Sequence, residues 1–383
     1  MVNRLVFNKT AYFGAGSIQH IPEELKKLGA ERVLVITDSG LVKCGVTAKV
    51  TGLLAKARIV HQVFEDVYAN PTVANVKAGF SFATQFRAQA IVAVGGGSVL
   101  DAAKAVALMC GNPDLTDIRK LEKSPLAKNP SVPLIAVSTA FGSGAEFSSR
   151  LMLTDMNSQR KIVCSDPNCI PLVSVMDSDF YEGLSARLCA QFAVEALALA
   201  VEGYISDGAW GLGEQYCLEA VRLIAENLKP ALNNSLKARE QLGYAQYLAG
   251  MGAQTNGLGL LHSLSHPLEA VYDLPHGIVS AVLLKPVLTF NASSSAAKYK
   301  DLALALGARL SSKAAPAEYR KTCIACVDKF LAQTALPLRL SKLDVHLKDV
   351  DFLSDSVLKD VCLAENPKEI SRRKITEIYK SIA

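Results

Sequence analysis

Three of the six histidines in this chain fall within fifteen residues, in the stretch NGLGLLHSLSHPLEAVYDLPHG at 256–277. His262 and His266 stand four apart, a spacing that stacks both imidazoles on one face of a helix. His276 lies between Pro275 and Gly277, where the helix is expected to have ended, so its ring is aimed by a turn. A single histidine on an apolar helix is ordinarily a satisfied core residue. Three arriving together point to a metal site or a proton-transfer site, since neutral imidazole is a metal ligand and titrates near neutrality.

A second group of residues has a different use. Gly95-Gly96-Gly97-Ser98 is followed by VLDAAKAVAL. Three glycines let backbone N–H groups approach a phosphate closely, and the helix that follows points its positive end at the same anion. The spacing is not G-x-G-x-x-G, and taken alone it also describes a tight strand-to-helix turn. Asp38, at the end of an earlier apolar run, adds a carboxylate that can accept from a ribose diol and would repel a 2′-phosphate. Together they favour NAD over NADP. The competing reading of Asp38 is a helix N-cap or Asx turn.

These residues need elements to hold them. The runs 31–38 (ERVLVITD), 89–97 (QAIVAVGGG) and 133–140 (PLIAVSTA) are near-continuously apolar and end in turn residues, as strands buried in a parallel sheet do. Amphipathic helical stretches separate them, which predicts βαβ units and an α/β domain whose ligands sit at the carboxyl ends of the strands. From about Leu184 the patterns are long and helical, and no convincing strand follows. The expected organisation is a dinucleotide-binding α/β domain over 1–183 and an all-α metal and substrate domain over 184–383, divided in the acidic, turn-prone MDSDFYEGLS.

Composition sets the outer limits. The chain has 383 residues, enough for two substantial cores, with 50% hydrophobic and 20% charged residues. The formal charge of +5 is spread along the chain, without the clustered Lys and Arg and interleaved aromatics of a nucleic-acid binder. The N-terminal residues lack the pattern of a secretory leader and no run is read as long enough to span a membrane, so a cytoplasmic location is expected. Nine scattered cysteines fit reduced thiols. Cys323 and Cys326 form a C-x-x-C inside a helical pattern with no second pair or nearby histidine to complete a zinc site, and small apolar thiols facing a core explain them.

FGAGS (13–17), Asn70-Pro71-Thr72, GGGSVLDAAK (95–104), GSGAE (142–146), GLGLLHSLSHPL (257–268) and LPHG (274–277) occur in an order that resembles the iron-dependent (group III) alcohol dehydrogenases, nearly end to end. The resemblance implies a dehydroquinate synthase-like fold, a cleft between two domains, often a dimer, and hydride exchange between NAD and a small alcohol, diol or aldehyde. It places Gly96, Gly97, Ser98 and Asp101 at the pyrophosphate, Asp38 at the NAD-selecting acid, and Thr139 and Ser143 at cofactor contacts. Asn70 and Lys161 match positions near the nicotinamide, and His266 the histidine thought to move the proton; His266 and Lys161 are therefore the expected catalytic residues.

His262 and His276 match two of the family's four metal ligands. The other two are an Asp and a His at i,i+4 on one helix, where this chain has Glu195 and Leu199. Glu195, His262 and His276 are expected to form a weakened three-ligand site for Fe²⁺ or Zn²⁺, because leucine offers no donor. Glu269 and Ser280 also depart from the family pattern, as do Phe192 and Ala193. Two further readings stand beside metal-assisted catalysis. One is a metal-free reductase of an acidic or oxo-acid substrate, as in the related maleylacetate reductases, with Arg150 as the new cation. The other is a non-catalytic NAD-binding paralogue. For Arg150 the plainer expectation is solvent exposure or a pair with Glu146.

Overall fold

The computed structural model describes residues 4–122, 127–311, 313–343, 345, 347–348 and 350–383. They form two compact units, one of Met1–Ala140 and Gly144–Gly183, the other of Phe141–Ser143 and Leu184–Ala383.

The first unit is built on a six-stranded parallel sheet. Its strands are β1 (Thr10–Phe13), β2 (Arg32–Ile36), β3 (Val60–Phe64), β4 (Ala90–Gly95), β5 (Leu134–Ser138) and, after a hairpin, β8 (Val173–Met176). They are ordered β1-β8-β5-β4-β2-β3. The central strands carry AIVAVG and LIAVS with every residue buried, the composition expected of strands covered on both faces. β3, at one edge, reads VHQVF and buries only Phe64. Among its described residues are the α-helices α1 (Ile21–Lys27), α2 (Ser39–Lys43), α3 (Val46–Lys56), α4 (Val73–Phe86) and α5 (Gly97–Gly111). α4 and α5 pack on each other and on the sheet over a core that includes Leu34, Ile91, Ala93, Leu134 and Val106. The antiparallel hairpin of β6 (Arg150–Asp155) and β7 (Arg160–Ser165) packs against α5 through β6.

The second unit is helical, with no strand among its described residues. α6 (Ala186–Ile205) packs against α7 (Gly211–Leu232), α8 (Leu236–Asn256) and α10 (His276–Asn291), while α9 (Leu260–Tyr272) carries two of the clustered histidines. α11 (Ala296–Ala305), α12 (Pro316–Thr334), α13 (Val350–Val357) and α14 (Arg372–Ile382) complete it. The expectation that no run reaches membrane-spanning length needs correcting. α6 meets that test by length and composition, and 83% of its apolar window is buried inside the fold. It is apolar all round because other helices surround it, as in a core helix. All nine cysteines are free.

Candidate active site

In the first unit, β4 ends at Gly95 and α5 begins at Gly97, with Gly96 as an extended N-cap whose position offers no side-chain cap. The first N–H groups of this fifteen-residue helix are therefore left for an external acceptor at the carboxyl end of a central strand, where an anion is favoured. Gly95 is required sterically: a Cβ there would lie 2.4 Å from the Cβ of Val99, in the helix's first turn. At Gly96 the nearest neighbour of an added Cβ is the methyl of Ala140 at 3.6 Å, so the surface above the turn is open.

Around this turn the proposed cofactor residues have separate fates. Asp38 is the N-cap of α2, one carboxylate oxygen accepting from Leu41 N at 2.9 Å. Thr139 donates its N–H to Gly95 O at 3.1 Å, which ties the end of β5 to the glycine turn. Lys161 on β7 reaches Asn70, Nζ to Oδ1 2.6 Å, and Asn70 holds a positive φ of 54° at the tight turn before α4. Asp101 does not face outward. Its Oδ2 accepts from Met152 N at 3.1 Å and its Oδ1 lies 3.6 Å from the fully buried Lys104, so α5 uses this carboxylate to hold the hairpin. Ser143 belongs by its contacts to the second unit rather than with Thr139. Arg150, expected to be solvent-exposed or paired with Glu146, is half-buried and makes no ion pair among the described residues, and its backbone carbonyl accepts from Lys104.

In the second unit the histidines converge. The His262 and His276 ring centroids are 5.1 Å apart and those of His262 and His266 6.2 Å, the latter edge to face. His262 and His266 are one turn apart on α9; Asp273, in the left-handed conformation, ends that helix, and Pro275 leads into α10, which starts at His276. Gly277 lets α10 begin against α6, because a Cβ there would sit 2.5 Å from Gln191 O. That contact explains the Pro-His-Gly corner.

Each ring is held through Nδ1 by a different acid. Glu202 on α6 lies 2.5 Å from His262 Nδ1 and also accepts from Leu261 N and His262 N, at 2.5 and 3.3 Å. Gly259, the N-cap of α9, has no side chain to cap with, and the Glu202 carboxylate takes over that role from a neighbouring helix. Glu269 lies 2.5 Å from His276 Nδ1. Asp360 lies 2.7 Å from His266 Nδ1, while its other oxygen accepts from Cys362 N and Ser263 Oγ. Burial raises the Asp360 carboxyl, but His266 and these hydrogen bonds outweigh it and hold the group at about 2. For His262, burial pushes the imidazole below its ordinary value, against the pull of Glu202. A neutral ring donating from Nδ1 keeps its Nε2 lone pair.

His266 Nε2 is buried and has no hydrogen-bond partner. A buried nitrogen left unpaired beside a satisfied Nδ1 costs free energy unless something else engages it, and so marks a place for a ligand atom or a transferable proton.

The metal residues do not assemble as expected. Leu199 is buried and has no donor. Glu195 turns to Gly142: a Cβ there would lie 2.7 Å from Glu195 Oε2 and 3.1 Å from Oε1. Among the described residues, the only three His, Cys, Asp or Glu donors within 4.8 Å of one another are His266, Asp360 and Cys362. Glu195, His262 and His276 are not such a set. The residues of this unit therefore do not fit the four-ligand ion of the resembled family.

Sequence reasoning missed all three supporting acids. Glu202 had a signal, a lone charge inside the apolar run ALALAVEGY. Glu269 stands out in the sequence only as a departure from the family pattern. Asp360 had no local signal.

Residues 8–178 match the family model described as iron-containing alcohol dehydrogenase, and 189–383 its Fe-containing C-terminal counterpart. Lactaldehyde reductase of Escherichia coli K12 is 36% identical over 379 residues, 99% of each chain. NAD-dependent methanol dehydrogenase of Bacillus methanolicus is 29% identical over 374 residues, 96% of each chain. A crystal structure of 1,3-propanediol oxidoreductase superimposes with a TM-score of 0.95 at 30% identity, covering 100% of both chains.

Proposed function

The chain belongs to the iron-containing alcohol dehydrogenase family, and from that premise we propose that it interconverts a small alcohol or diol and its aldehyde with NAD. It is an oxidoreductase, and NAD with a divalent metal is the equipment of its family. Bound NAD would accept or give up the hydride. Gly96, Gly97 and Ser98 would hold its pyrophosphate through backbone N–H groups at the open end of α5. Asp38 keeps one carboxylate oxygen for a ribose hydroxyl after capping α2. Asn70 and Lys161, already joined, would face the nicotinamide end.

The observation that carries the catalytic reading is the buried, unpaired Nε2 of His266 with its Nδ1 fixed by Asp360. A fixed imidazole of this kind returns a proton to an alkoxide in reduction and removes one from an alcohol in oxidation. His262 and His276, each held by an acid, would orient the substrate oxygen. No step is assigned to a metal ion, because the donor set does not fit one. The assembly proposed is a homodimer.

The test is an NADH titration followed by turnover on lactaldehyde and short aldehydes, with sedimentation to give the assembly. Saturable NADH binding with turnover that His266→Gln abolishes is the expected result. NADH binding without turnover on any aldehyde or alcohol would leave a nucleotide-binding paralogue instead.

A second reading has its own observation. Arg150, free of ion pairs among the described residues, would favour an acidic substrate, since a guanidinium binds a carboxylate through two donors. Arg150→Ala then lowers activity on oxo-acids and spares aldehydes; an unchanged profile discards it.

A further inference from the structure

We infer that this chain has given up the stoichiometric metal ion of its family, and that Glu195 serves the Phe141–Ser143 segment instead of a metal. The activity arm of the test rests on the proposed function; the binding arm does not. Glu195 and Leu199 are one turn apart on α6, on the helix that also supplies Glu202 to His262. Leu199 is buried at 8% exposure and brings no lone pair. Glu195 is a carboxylate, but both its oxygens lie against Gly142, close enough that even a methyl group there would collide with them. Its direction is thus set by the segment it touches.

What remains of the expected ligand set is two imidazoles, His262 and His276, whose Nδ1 atoms are held by Glu202 and Glu269. Catalytic zinc and non-haem iron sites use three protein ligands or more. Loss of one outer-shell partner costs about 10–100-fold in affinity, so loss of two direct ligands costs more than that. The His266–Asp360–Cys362 group does not replace the site. Its Asp360 oxygens are already committed to His266, Cys362 N and Ser263, and the 2.7 Å between His266 Nδ1 and Asp360 is a hydrogen bond.

The full-length protein is dialysed against EDTA and then metal-free buffer, its iron and zinc counted by mass spectrometry, and Zn²⁺ titrated in competition with a zinc-responsive dye. The expected wild-type result is far less than one ion per chain, no tight one-to-one site, and turnover unchanged by EDTA or added Fe²⁺ or Zn²⁺. Glu195→Asp with Leu199→His is expected to take up one Zn²⁺ at least about 100-fold more tightly than wild type. Leu199→His alone, checked for folding by circular dichroism, serves if the double variant does not fold. One ion held by each wild-type chain and released by His262→Gln would overturn the inference, as would turnover lost to EDTA and restored by metal. One Zn²⁺ per chain, removed by Cys362→Ser but untouched by His262→Gln, would overturn it as well, since the chain would then hold an ion at the His266–Asp360–Cys362 group. If NADH binds and nothing turns over, the proposed reaction fails while the ion count still decides this point.

Discussion

Asp360 and His266, 94 residues apart in the chain, share a 2.7 Å hydrogen bond that fixes one nitrogen of the imidazole and leaves the other buried and unpaired. The carboxylate is itself held, by Cys362 N and Ser263 Oγ, so the ring has little freedom to turn. Asp360 is a positioning residue. Asp360→Asn keeps the shape and loses the acceptor that selects the Nδ1–H form. Steady-state kinetics should show kcat falling by roughly 10²-fold or more, the usual worth of a placed acid or base, with the NADH dissociation constant unchanged. Asp360→Glu should recover part of kcat. Equal loss of kcat and of NADH affinity in Asp360→Asn would mean that the residue only supports the fold.

Asp360 and His262 set how the protein responds to acid. Burial depresses the His262 imidazole, so the unfolded chain takes up that proton first, and the stability it contributes is present above about pH 6.5 and lost as pH falls below it. Asp360 is held at about 2 against an ordinary 3.8. Its contribution, about 2 kcal/mol, is present above pH 4 and lost as pH falls toward 2. Urea midpoints measured from pH 8 to 3 should decline in two stages. His262→Gln should remove the upper stage and Asp360→Asn the lower. A single decline untouched by either substitution would refute the assignment.

How much of this was legible in the sequence depends on how local each feature is. β2, β4 and β5 could be read because a strand buried on both faces is apolar throughout. β1 and β8 have four residues each, β3 exposes most of its side chains, and β6 and β7 alternate in a hairpin between turns, so none of them carries that pattern. The three histidines declared themselves by spacing within fifteen residues of chain. The carboxylate partners of His262 and His266 arrive from α6 and from the 3₁₀ turn after α13, separations of 60 and 94 residues that only the fold closes, whereas Glu269, the partner of His276, lies on α9 only seven residues away. Glu195 shows the converse: its position on the helix suggested a ligand, and a glycine far along the chain decides where it points.

Glu202 joins structure and chemistry at one carboxylate. It caps α9 through Leu261 N and His262 N and holds His262 Nδ1, with only 2% of the residue exposed. Removing it orphans buried donors at about 1–3 kcal/mol each, so Glu202→Ala should destabilise the fold by about 3–5 kcal/mol. Glu202→Gln keeps one acceptor for the helix and should cost about half as much. Chemical denaturation with unchanged m-values gives both numbers. Equal stability of Glu202→Ala and wild type would remove Glu202 from the framework of the site.

The glycine turn between β4 and α5 separates two demands that a sequence motif merges. Gly95 faces inward, where a Cβ would lie 2.4–2.8 Å from three atoms of Val99, so Gly95→Ala must displace the first turn of α5 or the end of β4. It should destabilise the protein by about 1–3 kcal/mol, as overpacking does, and lose NADH affinity as a result. Gly96 has only an ordinary contact with Ala140 at 3.6 Å, and its φ of −82° suits any residue. Gly96→Ala should therefore fold with wild-type stability. If the open N-terminus of α5 receives the pyrophosphate, the added methyl group stands where the phosphate oxygens approach the backbone, and NADH binding should weaken about tenfold or more with no change in the melting temperature of the free protein. Fluorescence titration alongside thermal denaturation separates the two effects. A Gly96→Ala variant that binds NADH as well as wild type would place the nucleotide somewhere other than this turn.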